Sequence, residues 1–369
     1  MLETTTNASV LAEQLRERIK REGPLTFRDW MNAALYDPVN GYYCRADRRR
    51  WGREGDYRTS PERSGLFAAT FARYFARLYD DCGRPPQWTI VEAGAGEGHF
   101  ASGILQTLQR FHPQVFAATA YVIDEIGGPS RLLAEERLRL FAERVWFAKL
   151  DDIEVASGVV FANELLDAFP VHRVIMRGGR LLEFYVDAGP QGDFRWLVDE
   201  PSTARLSEHF NDLGIALVEG QIAEVSPGIE AWLGKVAGRM ETGCVVTVDY
   251  GAAAEELFSA DANPLGTLRG FQRHLFVGDL LAAPGEHDLT TTVDWSSTKA
   301  AAVRHGFAVL ELSRLDKFLL TAGLLEQLES ERRDCATEGE RLSVSTAARE
   351  MILPDGMAAS FQVLVLKKS

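Results

Sequence analysis

Between residues 91 and 100 the chain reads Val-Glu-Ala-Gly-Ala-Gly-Glu-Gly-His-Phe, placing Gly94, Gly96 and Gly98 at alternate positions directly after the apolar run 88–91. Alternate glycines let backbone pass close to a ligand without Cβ clashes, and the N–H groups that open a following helix offer donors to an anionic group. A dinucleotide site spaces its glycines as G-x-G-x-x-G, so that a helix N-terminus receives pyrophosphate. Here the order is Glu-x-Gly-x-Gly-x-Gly, with Glu92 placed to orient the turn or an ammonium group of the ligand. Further along, Asp124-Glu125 follows a second apolar run, where a carboxylate can accept both hydroxyl protons of a ribose. Glu125 is favoured for that role, with Asp124 the alternative. Asp151 or Asp152 follows a third run and either receives an adenine amino group or forms an exposed acidic turn.

A fourth run ends in Phe161-Ala162-Asn163-Glu164-Leu165-Leu166-Asp167-Ala168-Phe169-Pro170. Asn163, Glu164 and Asp167 crowd one place. Carboxylates pair bidentately with a guanidinium and can help remove the proton whose loss exposes a nitrogen lone pair. The same residues also suit a helix start, with Asn163 as N-cap and the two acids at the positive end of the helix dipole.

These groups need a scaffold that brings strand ends together. From residue 88 onward apolar strand-like runs alternate with helical periodicity, the signature of a parallel sheet covered on both faces. The pattern predicts strands at 89–93, 118–124, 145–148, 157–162 and 244–248, and helices at 99–111, 129–144 and 228–240. In a doubly wound sheet the ligand sits at the carboxyl ends of the strands, where all the residues above fall. Between the fourth and fifth strands, alternating runs at 171–176 and 181–186 joined by Arg177-Gly178-Gly179-Arg180 predict a hairpin insertion. Two more strands are expected at 307–312 and 361–366. Before the sheet, helices are predicted at 8–22, stopped by Gly23-Pro24, and at 27–36, capped by Thr26 and ended by Asp37-Pro38. A long Gly-, Arg- and Tyr-rich stretch at 39–61 precedes a third helix at 61–81, and loops of that length tend to serve function.

The 369 residues suffice for a large α/β domain with additions. A formal net charge of −13 opposes nucleic acid as a partner and leaves room for a cationic substrate. The local exception is the basic run 45–53, more often a solvated loop than a binding patch. No apolar window is long enough to span a bilayer and the first residues lack a secretion signal, so no membrane insertion and a cytoplasmic location are expected. Cys44, Cys82, Cys244 and Cys335 are widely separated, with no metal-ligand spacing, and no metal is expected.

The glycine turn with its acidic flank resembles the first motif of class I S-adenosylmethionine-dependent methyltransferases. More specific is a set of segments similar to the MidA family of methyltransferases, a bacterial and mitochondrial group that includes an assembly factor methylating an arginine in respiratory complex I. The segments are Gly23-Pro24-Leu25-Thr26-Phe27, Leu35-Tyr36-Asp37-Pro38, Gly41-Tyr42-Tyr43, the stretch from Gly55 to Glu62, the glycine turn and the stretch from Asn163 to Val171. Val248-Asp249-Tyr250-Gly251, Gly266-Thr267-Leu268-Arg269 with His274, and the stretch from Asp288 to Trp295 complete it, in family order.

The resemblance implies a seven-stranded Rossmann-like class I sheet with its last strand antiparallel, occupying residues 83–369 with an insertion at about 171–225. An N-terminal helical region with a substrate-side loop would fill residues 1–82. It further implies S-adenosyl-L-methionine as cofactor and a protein arginine as cationic acceptor; a homodimer is a separate expectation. Glu92, Gly94, Gly96, Gly98, Glu125 and Asp152 would hold the cofactor, and Asn163, Glu164 and Asp167 would meet the acceptor. Asp56, Thr59, Asp249, Tyr250, His274 and Asp294 would lie on the substrate side. Departures sit at the acceptor end. Arg63-Ser64-Gly65-Leu66-Phe67 replaces the family's Ile-Ser and Phe-Gly-Glu pattern, and Glu125-Ile126-Gly127-Gly128-Pro129 is one residue longer than the family's Glu-Thr-Ser-Pro. Rival readings are a small-molecule methyltransferase with the insertion as acceptor pocket, and a cofactor-binding scaffold without turnover. A nicotinamide-dependent dehydrogenase is disfavoured by the glycine spacing.

Overall fold

The computed structural model describes residues 7–46, 65–272, 275–353 and 356–369. Helix α1 (Asn7–Glu22) turns Leu11, Leu15 and Ile19 inward and stops at Gly23. Strand β1 (Leu25–Thr26) leads into α2 (Phe27–Tyr36), where the Thr26 hydroxyl accepts the Asp29 N–H at 3.1 Å and caps the helix. Asp37 ends it, because the residue before a proline is driven from helical backbone. Helix α3 (Gly65–Asp81) buries Phe67, Phe71 and Phe75 in the same core as Trp88, Ile90, Phe100 and Phe161. A boundary at residue 82 therefore cuts through one hydrophobic core, and α3 belongs with the sheet that follows rather than with the N-terminal region.

That sheet begins with β2 (Trp88–Ala93), which leads through the glycine turn into α4 (His99–Phe111). It continues with β3 (Thr119–Asp124), β4 (Val145–Phe147) and β5 (Val155–Asn163). The insertion carries β6 (His172–Arg177), β7 (Arg180–Ala188), β8 (Phe194–Asp199) and β9 (Ile222–Val225). After it come β10 (Met240–Ala252), β11 (Arg269–Gln272), β12 (Leu275–Phe276), β13 (Asp288–Thr290) and β14 (Val293–Asp294). The chain closes with β15 (Ala308–Arg314) and β16 (Phe361–Lys368).

The central order is β15-β16-β10-β5-β2-β3-β4, and β16 runs antiparallel to both of its neighbours. Strands β4, β3, β2, β5 and β10 are mutually parallel. These seven strands make the class I arrangement that the resemblance implied, and the two-residue β14 adds an eighth by pairing parallel with the end of β10. The order reverses at β2, so the crevice beyond the ends of β2 and β5 is the topological switch point where ligands bind. Strand β10 outruns its expected five residues because β5 and β16 pair with it along most of its length, a gain the local sequence does not announce. The helix expected over 129–144 ends at Arg137, and a short 3-10 turn over Arg139–Phe141 completes it by burying Phe141. A six-residue helix, Pro113–Ala118, is too short to show periodicity in the sequence.

The predicted hairpin is present and tighter than expected. Arg177 faces Arg180, leaving Gly178 and Gly179 as the whole turn. The insertion does not stand alone, since β1 pairs antiparallel with β7 and places Leu25 opposite Val186. Phe27, Trp30 and Leu35 pack with Tyr42, Val171, Val186 and Leu289 in a second core that welds the N-terminal region to the insertion. Among the described residues no helix is long and apolar enough to cross a membrane.

Candidate active site

The glycine turn lies at the carboxyl end of β2. Gly94, Gly96 and Gly98 take φ of +70°, +54° and +74°, a left-handed run that side chains resist. Space is also close at two of them. A Cβ on Gly94 would come within 2.9 Å of Leu165 Cδ1, and one on Gly98 within 3.0 Å of the Ala134 Cβ. Helix α4 is fixed behind the turn by Phe100, which stacks on Phe161 of β5 with centroids 4.2 Å apart.

Two carboxylates after β3 divide the work. Glu125 accepts the Gly96 N–H at 2.8 Å with one oxygen and the Gly127 N–H at 2.7 Å with the other, so it braces the turn. Asp124 instead accepts the Leu150 N–H at 3.0 Å and ties the end of β3 to the next loop. Glu92 lies buried in β2 and accepts the Tyr121 hydroxyl at 2.6 Å. Burial pushes its carboxyl up to about 8, against the pull of the Tyr121 bond, and the nearby Glu125 adds to the rise. The structure thus gives Glu92 a partner inside the sheet, the Tyr121 hydroxyl of the neighbouring strand. Asp152 sits exposed on a 3-10 turn, Leu150–Asp152, beyond β4, beside an Asp151–Lys235 ion pair at 2.7 Å.

The acceptor end is built around Asp249. Its carboxylate is fully buried; one oxygen accepts the N–H groups of Leu165, Leu166 and Asp167 at 3.2, 2.8 and 3.3 Å, the other the Tyr250 N–H at 2.8 Å. Asp249 was expected on the substrate side, but both oxygens are spent on backbone, so it holds the loop after β5. Opposite β10, the Glu164 N–H bonds the Val248 carbonyl at 2.9 Å, and Glu164 adopts φ +51°. Asn163 donates to Glu164 Oε1 at 3.1 Å while its own Oδ1 is buried without a partner.

Asp167 is buried within this group. Burial first, then Asp249, Asp288 and Glu164, hold its carboxyl well above the ordinary range, with Arg269 opposing. Burial lifts Asp249 to about 7, while its backbone donors pull the other way. Four N–H groups face Asp249 and favour its ionised form, whereas burial and the neighbouring acids favour the neutral form of Asp167. Tyr36 donates to the Ala168 carbonyl at 3.0 Å and stacks on Tyr43, whose hydroxyl donates to Asp288 at 2.7 Å. The Thr291 N–H bonds the Asp167 carbonyl at 2.9 Å. Tyr250 packs on Phe361 at 3.9 Å, and burial followed by Glu164 and Asp167 raises its phenol.

Tyr36, Tyr43, Asp288 and Arg269 were not singled out from sequence, although each lies in a segment that carried the family resemblance. Asp294 was singled out for the substrate side and does something else. It caps the helix Trp295–Arg304 by accepting the Ser296 and Ser297 N–H groups at 2.9 and 3.1 Å, and its other oxygen lies 3.7 Å from His209. Asp56, Thr59 and His274 lie outside the described residues.

A glycine cradle beyond β2, a carboxylate after β3 and an acid-lined loop after β5 meet at one switch point. A family model for S-adenosyl-L-methionine-dependent methyltransferases matches residues 70–313, about two thirds of the chain. The chain belongs to this family. The methyltransferase is also similar, at 29% identity and a TM-score of 0.86, to a Burkholderia thailandensis protein crystallised with S-adenosyl-homocysteine, covering 98% of this chain and 92% of that one. Among named relatives, the Drosophila melanogaster mitochondrial protein arginine methyltransferase NDUFAF7 homolog is 27% identical across 80% of this chain and 70% of its own. The human mitochondrial NDUFAF7 is 26% identical across 79% and 68%. S-adenosyl-L-methionine is therefore the cofactor. The site suits it on its own terms: all three glycines of the cradle take the left-handed backbone that side chains resist, and the buried Asn163 Oδ1 is left for a ligand donor.

Proposed function

We propose that this methyltransferase transfers its methyl group to a guanidinium nitrogen of an arginine in a protein. The observation that carries the reading is the cluster of Glu164, Asp167, Asp249 and Asp288, ringed by Tyr36, Tyr43 and Tyr250, at the switch point beside the cofactor turn. The arginine methyltransferase relatives support the same acceptor. When bound, S-adenosyl-L-methionine supplies a methyl group on an electrophilic sulfonium. Gly94, Gly96 and Gly98 would hold it, with Glu125, which also braces the turn through Gly96 and Gly127, offering remaining lone pairs to the ribose hydroxyls and Asp152 accepting from the adenine amino group. Glu92 acts through Tyr121 on the strands beneath.

Glu164 and Asp167 bind the guanidinium, whose fork of N–H donors matches carboxylate geometry. A guanidinium has no free lone pair, so one N–H proton must pass to a carboxylate before that nitrogen can accept the methyl group. In this reading Glu164 takes it, and the bond that the Asn163 amide donates to the Glu164 carboxylate supports its orientation. Walls of aromatic rings exclude water, which strengthens each of these contacts.

The test is methyl transfer from isotope-labelled cofactor into a cell lysate, read by mass spectrometry of arginine-containing peptides. Glu164→Gln should lower transfer by about a hundredfold or more, the usual contribution of a positioned acid or base. Affinity for S-adenosyl-homocysteine should stay within about twofold. Unchanged turnover would remove Glu164 from the chemistry, and label confined to small metabolites would replace the protein acceptor by a free one.

A further inference from the structure

The small sheet β12-β11-β13 has two different faces. Residues directly opposite in antiparallel strands point to the same side, and alternate residues along a strand share it. Phe271 lies opposite both Asp288 and Phe276, and Arg269 lies opposite Thr290. Arg269, Phe271, Asp288, Thr290 and Phe276 therefore project from one face, while Leu289 points the other way into the core shared with Phe27 and Trp30. Asp288 and Arg269 belong to the acid cluster. The acceptor site thus continues outward along this face as an aromatic shelf, Phe271 half-buried and Phe276 73% exposed, their rings 4.8 Å apart.

We infer that the Phe271–Phe276 shelf is a docking subsite for an apolar residue of a polypeptide acceptor, on the chain beside the cationic side chain. The occupant is set by continuity with the acid cluster. It must present a cation to Glu164 and Asp167 and apolar surface on Phe276 at once. Strands lie about 4.8 Å apart, so two strand steps put Phe276 about 10 Å from Asp288, the span of about three residues of extended chain. A free guanidino metabolite such as an amino acid or diamine derivative ends in a charged group at that distance and brings no apolar surface to Phe276. Strand β12 also has no partner on its outer side among the described residues, which leaves backbone groups for an incoming strand. Leu275, 71% exposed on the opposite side of β12, extends the apolar edge.

This inference rests on the arginine reading, so its experiment reads binding rather than turnover. The probes are a seven-residue glycine peptide with a central arginine, and the same peptide with phenylalanine at both ends, each fluorescently labelled. Fluorescence anisotropy is measured on the protein saturated with S-adenosyl-homocysteine. The phenylalanine peptide should bind about tenfold more tightly, as a buried aromatic contact supports. Phe276→Ser, at an exposed position that does not threaten folding, should remove that advantage and leave the glycine peptide unchanged. Equal affinity of the two peptides, absence of binding, or an advantage that survives in Phe276→Ser would overturn the shelf. So would a dimer that dissociates on Phe276→Ser without peptide discrimination, because a second copy would then be the occupant. Discrimination without methyl transfer would keep the shelf and count against the arginine chemistry alone.

Discussion

Glu164 carries a left-handed backbone that a non-glycine residue adopts at a cost of about 1–3 kcal/mol. Its bond to the Val248 carbonyl and the bonds from the next three residues to Asp249 hold that strain where the acceptor would bind. Glu92 shows a different kind of tuning. Its folded carboxyl titrates at about 8 against an ordinary 4.5, so between those values the folded state keeps a proton that the unfolded chain releases. The stability linked to that proton is complete below 4.5 and is lost as pH rises through about 8. Urea denaturation should therefore show Glu92→Gln gaining on the parent protein across this window, by at most about 1.4 kcal/mol per pH unit. The glutamine carbonyl can still accept the Tyr121 hydroxyl. A constant difference between the two proteins at pH 5, 6.5 and 8 would contradict the assignment.

The acceptor loop is a case of one element fixed by another. It leaves β5, yet its geometry is set by a carboxylate on β10, by α2 through Tyr36 and by the residue after β13 through Thr291. Replacing Asp249 by Asn keeps the shape but turns an amide donor toward backbone N–H groups. Asp249→Asn should cost about 2–4 kcal/mol of stability, as loss of charge-assisted bonds to a buried group does. It should lower kcat at least tenfold while the affinity for S-adenosyl-homocysteine moves much less, which steady-state kinetics and calorimetric titration would separate. Parallel loss of both would place Asp249 in the cofactor site instead. Individual elements were well marked in the sequence. Thr26 announced the start of α2, and the helix after the glycine turn runs over the expected residues 99–111. What no local pattern could show is that two residues, Leu25 and Thr26, join the edge of the insertion's hairpin.

At the scale of the molecule, 40 basic and 53 acidic residues give a field that favours a cationic partner, and the buried acids concentrate it at one point. A guanidinium stays charged at any working pH, so the pH dependence of acceptor binding comes from the protein. Burial lifts Asp249 to about 7 and holds Asp167 well above the ordinary carboxylate range, so a cation entering the cluster favours release of a proton. The value of kcat/KM for the acceptor should rise with pH through about 7, whereas affinity for S-adenosyl-homocysteine stays flat. A flat kcat/KM profile from pH 6 to 9 would argue against acids as the acceptor's partners. By itself the sequence determined the class of sheet, the cofactor turn and the acids after β5, because glycine spacing and apolar runs are constraints between near neighbours. It ranked Asp249 and Asp294 with the substrate-side residues and passed over Tyr36, Tyr43 and Asp288. Only the tertiary structure decided those roles: a carboxylate serves a substrate, a loop or a helix end according to which N–H groups the fold brings to it, and those come from elements far away in the chain.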